Sequence, residues 1–150
     1  MRRFVIAALV LTATATAGAQ SAQLITLAEA KKALEAAEAA ATKMGVGMGC
    51  VVLDARGAVV ASIRMDKAAP FAPDAARGKA IISASFGAPS GSMAQLGASG
   101  IGAILPGSPV WLQGALPIQR NKVTIGAIGC GGGTGQQDED SARAGVATLQ

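Results

Sequence analysis

The chain of 150 residues contains no histidine and no tyrosine, and it has only one tryptophan, three phenylalanines and two cysteines. Histidine is the usual general base and a common metal and haem ligand, so its absence excludes a Ser-His-Asp triad and histidine metal sites. Two cysteines are too few for an iron–sulfur cluster or a thiolate zinc site. Carboxylates, amines, guanidinium groups and the sulfurs of methionine and cysteine remain for chemistry, and the sequence identifies no metal site.

Basic residues are scattered along the chain, with few aromatic residues among them. The formal net charge is +4, and it falls to +2 once Arg2 and Arg3 are removed, because eleven basic residues then face nine acidic ones. Nucleic-acid binding needs a basic patch or stripe, commonly with aromatic rings for stacking. We therefore expect no nucleic-acid partner.

Residues 1–19 have the pattern of a secretory signal peptide. Arg2 and Arg3 precede an apolar run over residues 4–11, and small residues close the segment at Ala17-Gly18-Ala19. The run is much shorter than the roughly 20 residues that span a bilayer, which disfavours an uncleaved anchor. We expect a periplasmic or secreted protein, with one domain over residues 20–150 and no membrane span after cleavage.

Hydrophobic periodicity and turn residues predict the order helix, two strands, helix, three strands, helix. The first helix begins at the capping box of Thr26 and Glu29 and ends near Gly45. The other predicted elements are strands at residues 49–54, 58–65, 101–105, 111–116 and 122–130, helices at 74–86 and 138–149, and one helical turn at 93–96. Gly78 inside the second helix predicts a close neighbour, because glycine costs about 1 kcal/mol there against alanine. This order favours an α+β fold with an antiparallel sheet flanked by helices.

The glycine-rich run over residues 129–135 precedes an acidic helix start at Asp138, Glu139 and Asp140. Backbone amides ahead of a helix bind anions, but no lysine closes this run as in a P-loop, and the acids would repel phosphate. A tight turn and helix start is therefore the favoured interpretation, since negative charge suits a first helical turn.

Charged side chains gather where the second strand ends and the second helix begins. They belong to the strand-end residues Arg64 and Asp66, on either side of Met65, and to the helix residues Arg77 and Lys79. The loop between the two elements is predicted to bring them to one rim, where guanidinium groups would receive carboxylates. The alternative is a structural ion pair, such as Asp66 with Lys79.

Cys50 and Cys130 each lie in a predicted strand. They can pair in an oxidising compartment if those strands are neighbours with facing side chains. From the residues alone, it is an equally good interpretation that both cysteines are small buried residues without a bond between them.

The chain resembles the GlcG/HbpS family of small haem-binding-type proteins. The similarity lies in ITLAEAKKALEAAEAAA with GVGMGCVVLDARGAVVASIRMD, then ARGKAIISASF, LPGSPVWLQGALPI and IGAIGCGGGTGQQDEDSARAG. These stretches follow the family's order and cover nearly all of the chain after the leader. No single motif is specific; the series carries the resemblance.

The resemblance implies a profilin-like or PAS-like fold with a five-stranded antiparallel sheet, homo-oligomers, and haem as ligand. Some exported members act with a sensor kinase, which implies a sensor-kinase or pathway partner. The first strand would lie beside the last, which favours a disulfide between Cys50 and Cys130. Departures from the family are Gly114-Ala115, where two glycines are common, and Cys130, where an aliphatic residue is usual. With the charged rim, the predicted ligand-binding residues are Arg64, Met65, Asp66, Phe71, Lys79, Pro117, Ile118 and Asp138.

These expectations converge on an exported protein that binds haem or another small ligand as a carrier or extracytoplasmic sensor component, without catalysis of its own. Without histidine, the iron ligand would be a Met, a Cys or a hydroxyl such as Thr124 or Thr134, or binding would be weak, with propionates on Arg64 or Lys79. An alternative is an enzyme or accessory subunit acting on a small organic acid, with Asp66 and Lys79 as general acid and base. A third is a subunit that serves assembly only.

Overall fold

The computed structural model describes residues 24–150, so the predicted signal peptide lies outside the described residues. The fold is α+β, with an antiparallel sheet flanked by helices, as predicted. Its elements are α1 (Leu27–Lys43), β1 (Gly49–Asp54), β2 (Val59–Arg64), α2 (Ala72–Phe86), α3 (Ala94–Gly97), β3 (Ala115–Arg120), β4 (Val123–Gly131) and α4 (Gly135–Ala147). Across residues 24–150, no helix combines the length and apolar character needed to cross a bilayer.

The sheet has four strands in the order β2-β1-β4-β3, and every neighbouring pair is antiparallel. The prediction of a fifth strand, at residues 101–105, is wrong. Its residues instead form a 3-10 turn that begins after Gly100, whose φ is +81°. A Cβ on Gly102 would lie 3.1 Å from the Trp111 indole nitrogen, so this turn packs closely against the indole. A short apolar run does not reveal such packing, which only the folded chain brings about.

The strand predicted at residues 111–116 begins only at Ala115. Trp111 lies outside it and contacts Phe86 at the end of α2, with ring centroids 6.0 Å apart. Gly114, with φ +136°, separates this loop from the strand. The helical turn predicted at residues 93–96 is confirmed as α3.

Alternating side chains of β1 point to the two faces of the sheet, as the pleat requires. Cys50 and Val52 belong to the core shared with α1 and α4, whereas Val51 and Leu53 pack with α2. Since β1 and β4 are central, the core is built around them.

Two glycines let backbone segments approach α2 closely. A Cβ on Gly129 of β4 would lie 2.2 Å from the Ala76 carbonyl oxygen, and one on Gly78 would lie 2.4 Å from a methyl carbon of Val110. Val110 N–H also donates to the Gly78 carbonyl at 3.0 Å. The close neighbour predicted for Gly78 is therefore confirmed.

Capping boxes begin α1 and α4. The Thr26 box predicted for α1 is confirmed, with Thr26 Oγ1 accepting from Glu29 N–H at 3.3 Å and Glu29 Oε2 accepting from Thr26 N–H at 2.8 Å. Helix α4 begins at Gly135, three residues before the predicted start, because Thr134 and Gln137 form a second capping box. The prediction followed the acidic residues and missed this box.

Cys50 and Cys130 face each other across the β1–β4 pair and are joined by a disulfide. Both residues are buried in the layer between the sheet, α1 and α4. The bond thus links the two central strands of the sheet.

Candidate functional site

A cavity of about 380 Å³ lies where the end of β2 meets the end of α1. Three predicted ligand-binding residues, Arg64, Met65 and Asp66, line it together. Its remaining walls are formed by Glu38, Thr42, Gly45, Val46, Gly47 and Lys67. Sequence reasoning missed Glu38, Thr42 and Lys67. Lys67 directly follows the strand-end motif, but the two α1 residues are brought there only by tertiary packing.

Backbone contacts hold the strand-end residues in place. Met65 N–H donates to the Met48 carbonyl at 2.9 Å, and Met48 N–H donates to the Met65 sulfur at 3.3 Å. A Cβ on Gly47 would lie 2.5 Å from the Lys67 carbonyl carbon, so the two backbone segments touch. Arg64 Nη1 donates to the Ala68 carbonyl at 3.2 Å, which holds the guanidinium over the turn after β2. The cavity wall is therefore ordered before any ligand binds.

The cavity carries two cationic and two anionic side chains. Arg64 and Lys67 supply the positive charge, and Glu38 and Asp66 supply the negative charge. In the described part of the chain, none of the four has an ion-pair partner within 4.0 Å. The pair of cations can therefore receive a carboxylate. Two carboxylates alone make a poor metal site, and residues 24–150 contain no cluster of three or more acidic or cysteine side chains that could hold a metal ion.

Lys79 and Asp138 form a separate, buried ion pair. Lys79 Nζ lies 2.5 Å from Asp138 Oδ2, with 5% and 3% of the two side chains exposed. Nζ also donates to the Cys130 carbonyl at 3.2 Å, and Asp138 Oδ1 accepts from Gly133 N–H at 2.9 Å. The pair therefore ties α2 to the end of β4 and to the start of α4.

Gly114 provides the room for this ion pair. A Cβ on Gly114 would lie 2.7 Å from Lys79 Nζ and 2.7 Å from Asp138 Cβ. Its φ of +136° also disfavours any other residue. The glycine before the Leu-Pro-Ile stretch is thus required by the ion pair beside it.

The predicted common rim of the strand-end residues with Arg77 and Lys79 does not form. Lys79 points from the buried face of α2 to Asp138, and Arg77, two residues earlier, lines another cavity. The predicted Asp66–Lys79 ion pair is therefore wrong, and so is an acid–base pair made of these two residues. Residues two apart on a helix point about 200° apart, which spacing along the chain does not reveal.

Backbone amides of the glycine-rich turn are used by the protein itself. Gly133 N–H donates to Asp138, and Thr134 N–H donates to Gln137 Oε1 at 2.9 Å. These donors are therefore not free for an external phosphate, which agrees with the interpretation of this run as a turn and helix start.

The other predicted ligand-binding residues lie outside the cavity. Phe71, 66% exposed, immediately precedes α2. Pro117 and Ile118 lie in β3, where Ile118 is a core residue and Pro117 pairs with Ala127. Three of the eight predicted residues therefore share the cavity, two form the buried ion pair, and three lie elsewhere.

Comparison with known proteins identifies the family. Residues 25–147 match the family model described as haem degrading protein HbpS-like. The chain belongs to the HbpS-like family. No curated protein sequence matches this HbpS-like chain significantly.

Solved structures agree with this HbpS-like assignment. A double mutant of HbpS from Streptomyces reticuli is 33% identical, with a TM-score of 0.80, and covers 97% of this chain and 99% of its own. ORFY from Klebsiella pneumoniae is 27% identical, with a TM-score of 0.79 and coverages of 89% and 96%. A PduOC–haem complex, 22% identical with a TM-score of 0.74 and coverages of 83% and 94%, shares the fold.

Proposed function

We propose that the protein binds haem or a haem-like ligand as an exported carrier or sensor component, without catalysis of its own. The observation that carries the haem part of this proposal is the match of residues 25–147 to a family described as haem degrading protein HbpS-like. The absence of catalysis is proposed because the chain has no histidine and no tyrosine to act as an acid or base. The PduOC–haem complex adds that a protein of the same fold accommodates haem.

The cavity at Arg64 suits the carboxylate edge of such a ligand. Arg64 and Lys67 supply cations for propionates, and Val46 and Met65 supply apolar surface. Its volume of about 380 Å³ is at the small end of ligand pockets, which span about 300–1,000 Å³. Arg64 and Lys67 would therefore hold the propionates of a haem at this cavity, and Val46 and Met65 would contact its apolar edge.

The residues around this cavity favour weak ligation of the iron. The chain has no histidine, both cysteines are in the disulfide, and the Met65 sulfur already accepts the Met48 N–H. The Thr134 hydroxyl predicted as a ligand caps α4 instead. Oxygen atoms of Thr42, Glu38 or Asp66 remain, and they are weaker haem ligands than imidazole or thiolate.

Haem titration followed by visible absorbance tests this proposal. We expect saturable binding, weakened at least fivefold by Arg64→Ala and by Lys67→Ala, because each change removes a partner of a propionate. Lys31→Ala is the matched control, because it removes one charge at an exposed position of α1 that does not line this cavity. Absence of any absorbance change would reject haem, and equal binding by all variants would reject this cavity.

The same haem titration distinguishes a haem carrier from a haem-degrading enzyme. With a reductant and oxygen present, a carrier keeps its haem absorbance, whereas haem degradation converts it to that of an open-chain tetrapyrrole. Loss of the haem absorbance at the same rate with and without the protein would reflect uncatalysed bleaching. A protein-dependent loss would contradict the absence of catalysis.

Export and self-association belong to the same proposal. The segment 1–19 has a signal-peptide pattern, so we expect protein recovered from the periplasm of an expression host to begin at Gln20 by intact mass. Recovery of the full-length chain in the cytoplasm alone would contradict export. Light scattering measures the molar mass in solution and so tests whether the protein forms a homo-oligomer. A monomeric mass at micromolar concentration would contradict self-association.

A further inference from the structure

A second cavity, of about 290 Å³, lies between the β1–β2 turn, the middle of α2 and the loop at Pro106. Two guanidinium side chains line it, those of Arg56 and Arg77, and no acidic side chain does. Its other walls are Ala55, Gly57, Ala58, Ile81, Ala84, Ser85 and Pro106. It shares no lining residue with the cavity at Arg64.

Neither guanidinium has a partner within residues 24–150. The arginines that form ion pairs or side-chain hydrogen bonds in residues 24–150 are Arg64, Arg120 and Arg143. Asp54, the acid nearest to Arg56 in sequence, accepts the backbone N–H groups of Arg56 and Ala58 at 2.8 and 3.0 Å. That carboxylate is therefore used by the turn. Two like charges facing one cavity repel each other unless an anion lies between them.

Arg77 is held at the cavity by its surroundings. It is partly buried, and a Cβ on Gly107 would lie 3.5 Å from both of its terminal nitrogens. Gly107 has a φ of +80°, which favours glycine and lets the loop backbone lie against the guanidinium. A partly desolvated guanidinium without a partner costs free energy that a bound anion would offset.

The remaining walls select the kind of anion. Ile81, Ala84 and Pro106 offer apolar surface beside the two guanidinium groups. Inorganic phosphate gains nothing from such surface, whereas an organic acid buries its apolar part there. We propose that this cavity binds a small carboxylate with an apolar body, its carboxylate between Arg56 and Arg77. This site is independent of the haem proposal and would remain if haem did not bind.

Two-dimensional ¹H–¹⁵N NMR with benzoate as the probe tests the site. We expect saturable shifts of the amides of residues 55–58 and 84–85. Arg77→Gln should weaken binding at least tenfold, and the double variant Arg56→Gln with Arg77→Gln should abolish it. Ala58→Leu should weaken binding with both charges intact, because an exposed alanine at the wall is replaced by a side chain that fills the cavity.

Matched probes and a control variant decide the outcome. Benzamide has the same shape without the charge and should not bind, and inorganic phosphate should bind at least fivefold more weakly than benzoate. Lys31→Gln, which removes one exposed charge that does not line the cavity, should bind as the parent protein does. Equal binding of phosphate or benzamide, or unchanged benzoate binding by Arg77→Gln, would overturn the proposal.

Discussion

Ion pairs of similar chemistry differ in exposure within this protein. Lys79 and Asp138 are almost fully buried, whereas Arg143 and Glu139, one turn apart on α4, have 59% and 12% of their side chains exposed. Removing one partner of a buried pair leaves the other charge without water or a counter-ion. A pair whose cation lies largely in solvent, as Arg143 does, contributes less, because solvent screens it and its long side chain loses entropy.

Lys79→Ala is expected to lower the free energy of unfolding by about 3–5 kcal/mol, since it strands the Asp138 carboxylate in the core. Arg143→Ala, the matched control, should lower it by less than about 1 kcal/mol. Urea unfolding followed by circular dichroism measures both. The double variant Lys79→Met with Asp138→Leu should recover part of the loss, because apolar side chains then replace both charges. Equal losses for Lys79→Ala and Arg143→Ala would refute a structural role for the buried pair.

The sequence predicted the three cavity residues that are consecutive in the chain. It did not predict that Lys79 pairs with the distant Asp138. Arg64, Met65 and Asp66 are consecutive, so the end of one strand brings them together. Lys79 and Asp138 are 59 positions apart, and their contact depends on how two helices pack at the end of β4. Such a pairing follows from tertiary structure, which residue spacing does not determine.

At the scale of elements, one carboxylate joins the start of α1 to the sheet. Glu29 accepts the Thr26 N–H and hydroxyl at 2.8 Å each, and it pairs with Arg120 at the end of β3. The Thr26 N–H is the main cause that lowers the pKa of Glu29 below its ordinary value of 4.5, with Arg120 contributing. Because the folded protein prefers the ionised form, this carboxylate stabilises the fold above about pH 4.5 and stops doing so as the pH falls through its lowered pKa.

Glu29→Gln should therefore lower the stability at pH 7, and the difference from the parent protein should shrink toward zero as the pH falls below 4.5. Glutamine can still cap the helix, so the substitution removes mainly the charge. Thermal unfolding between pH 3 and pH 7 measures the effect, with the exposed Glu35→Gln on the same helix as control. A stability difference between Glu29→Gln and the parent protein that stays constant with pH would show that the charge of Glu29 does not cause it.

Elements with local signals were predictable, and those that depend on packing were not. The α1 capping box, both strands of the first hairpin and the last strand follow from residues that lie within a few positions of one another. The turn at Ile101–Ile104 follows instead from the packing of glycines around Trp111. The contact between these glycines and Trp111 cannot be predicted from hydrophobic periodicity, because periodicity does not show which loop residues lie close together.

At the scale of the whole molecule, the disulfide closes a loop of chain with a sequence separation of 80. Cross-linking so long a loop restricts the unfolded chain, which stabilises the fold by about 4.5 kcal/mol in the chain-entropy model and by about 2–5 kcal/mol in practice. Reduction should therefore lower the free energy of unfolding by an amount in this range. Urea unfolding with and without dithiothreitol measures it.

The double variant Cys50→Ala with Cys130→Ala is the control for that experiment. It should already be less stable than the oxidised protein, and reductant should change its unfolding no further. A parent protein equally stable in both conditions, with its thiols shown to be reduced, would mean that the bond contributes no stability.

The contact between α2 and β4 has a consequence for motion. Gly129 and Gly131 face Ala72 and Ala76, so backbone meets backbone without long side chains between them. An interface of this kind has no rotamers to rearrange and no space for sliding, so we expect α2 and β4 to move as one rigid body. Any change of shape on ligand binding would then fall to the edge strand β2 and the loops around α3, whose side chains are more exposed.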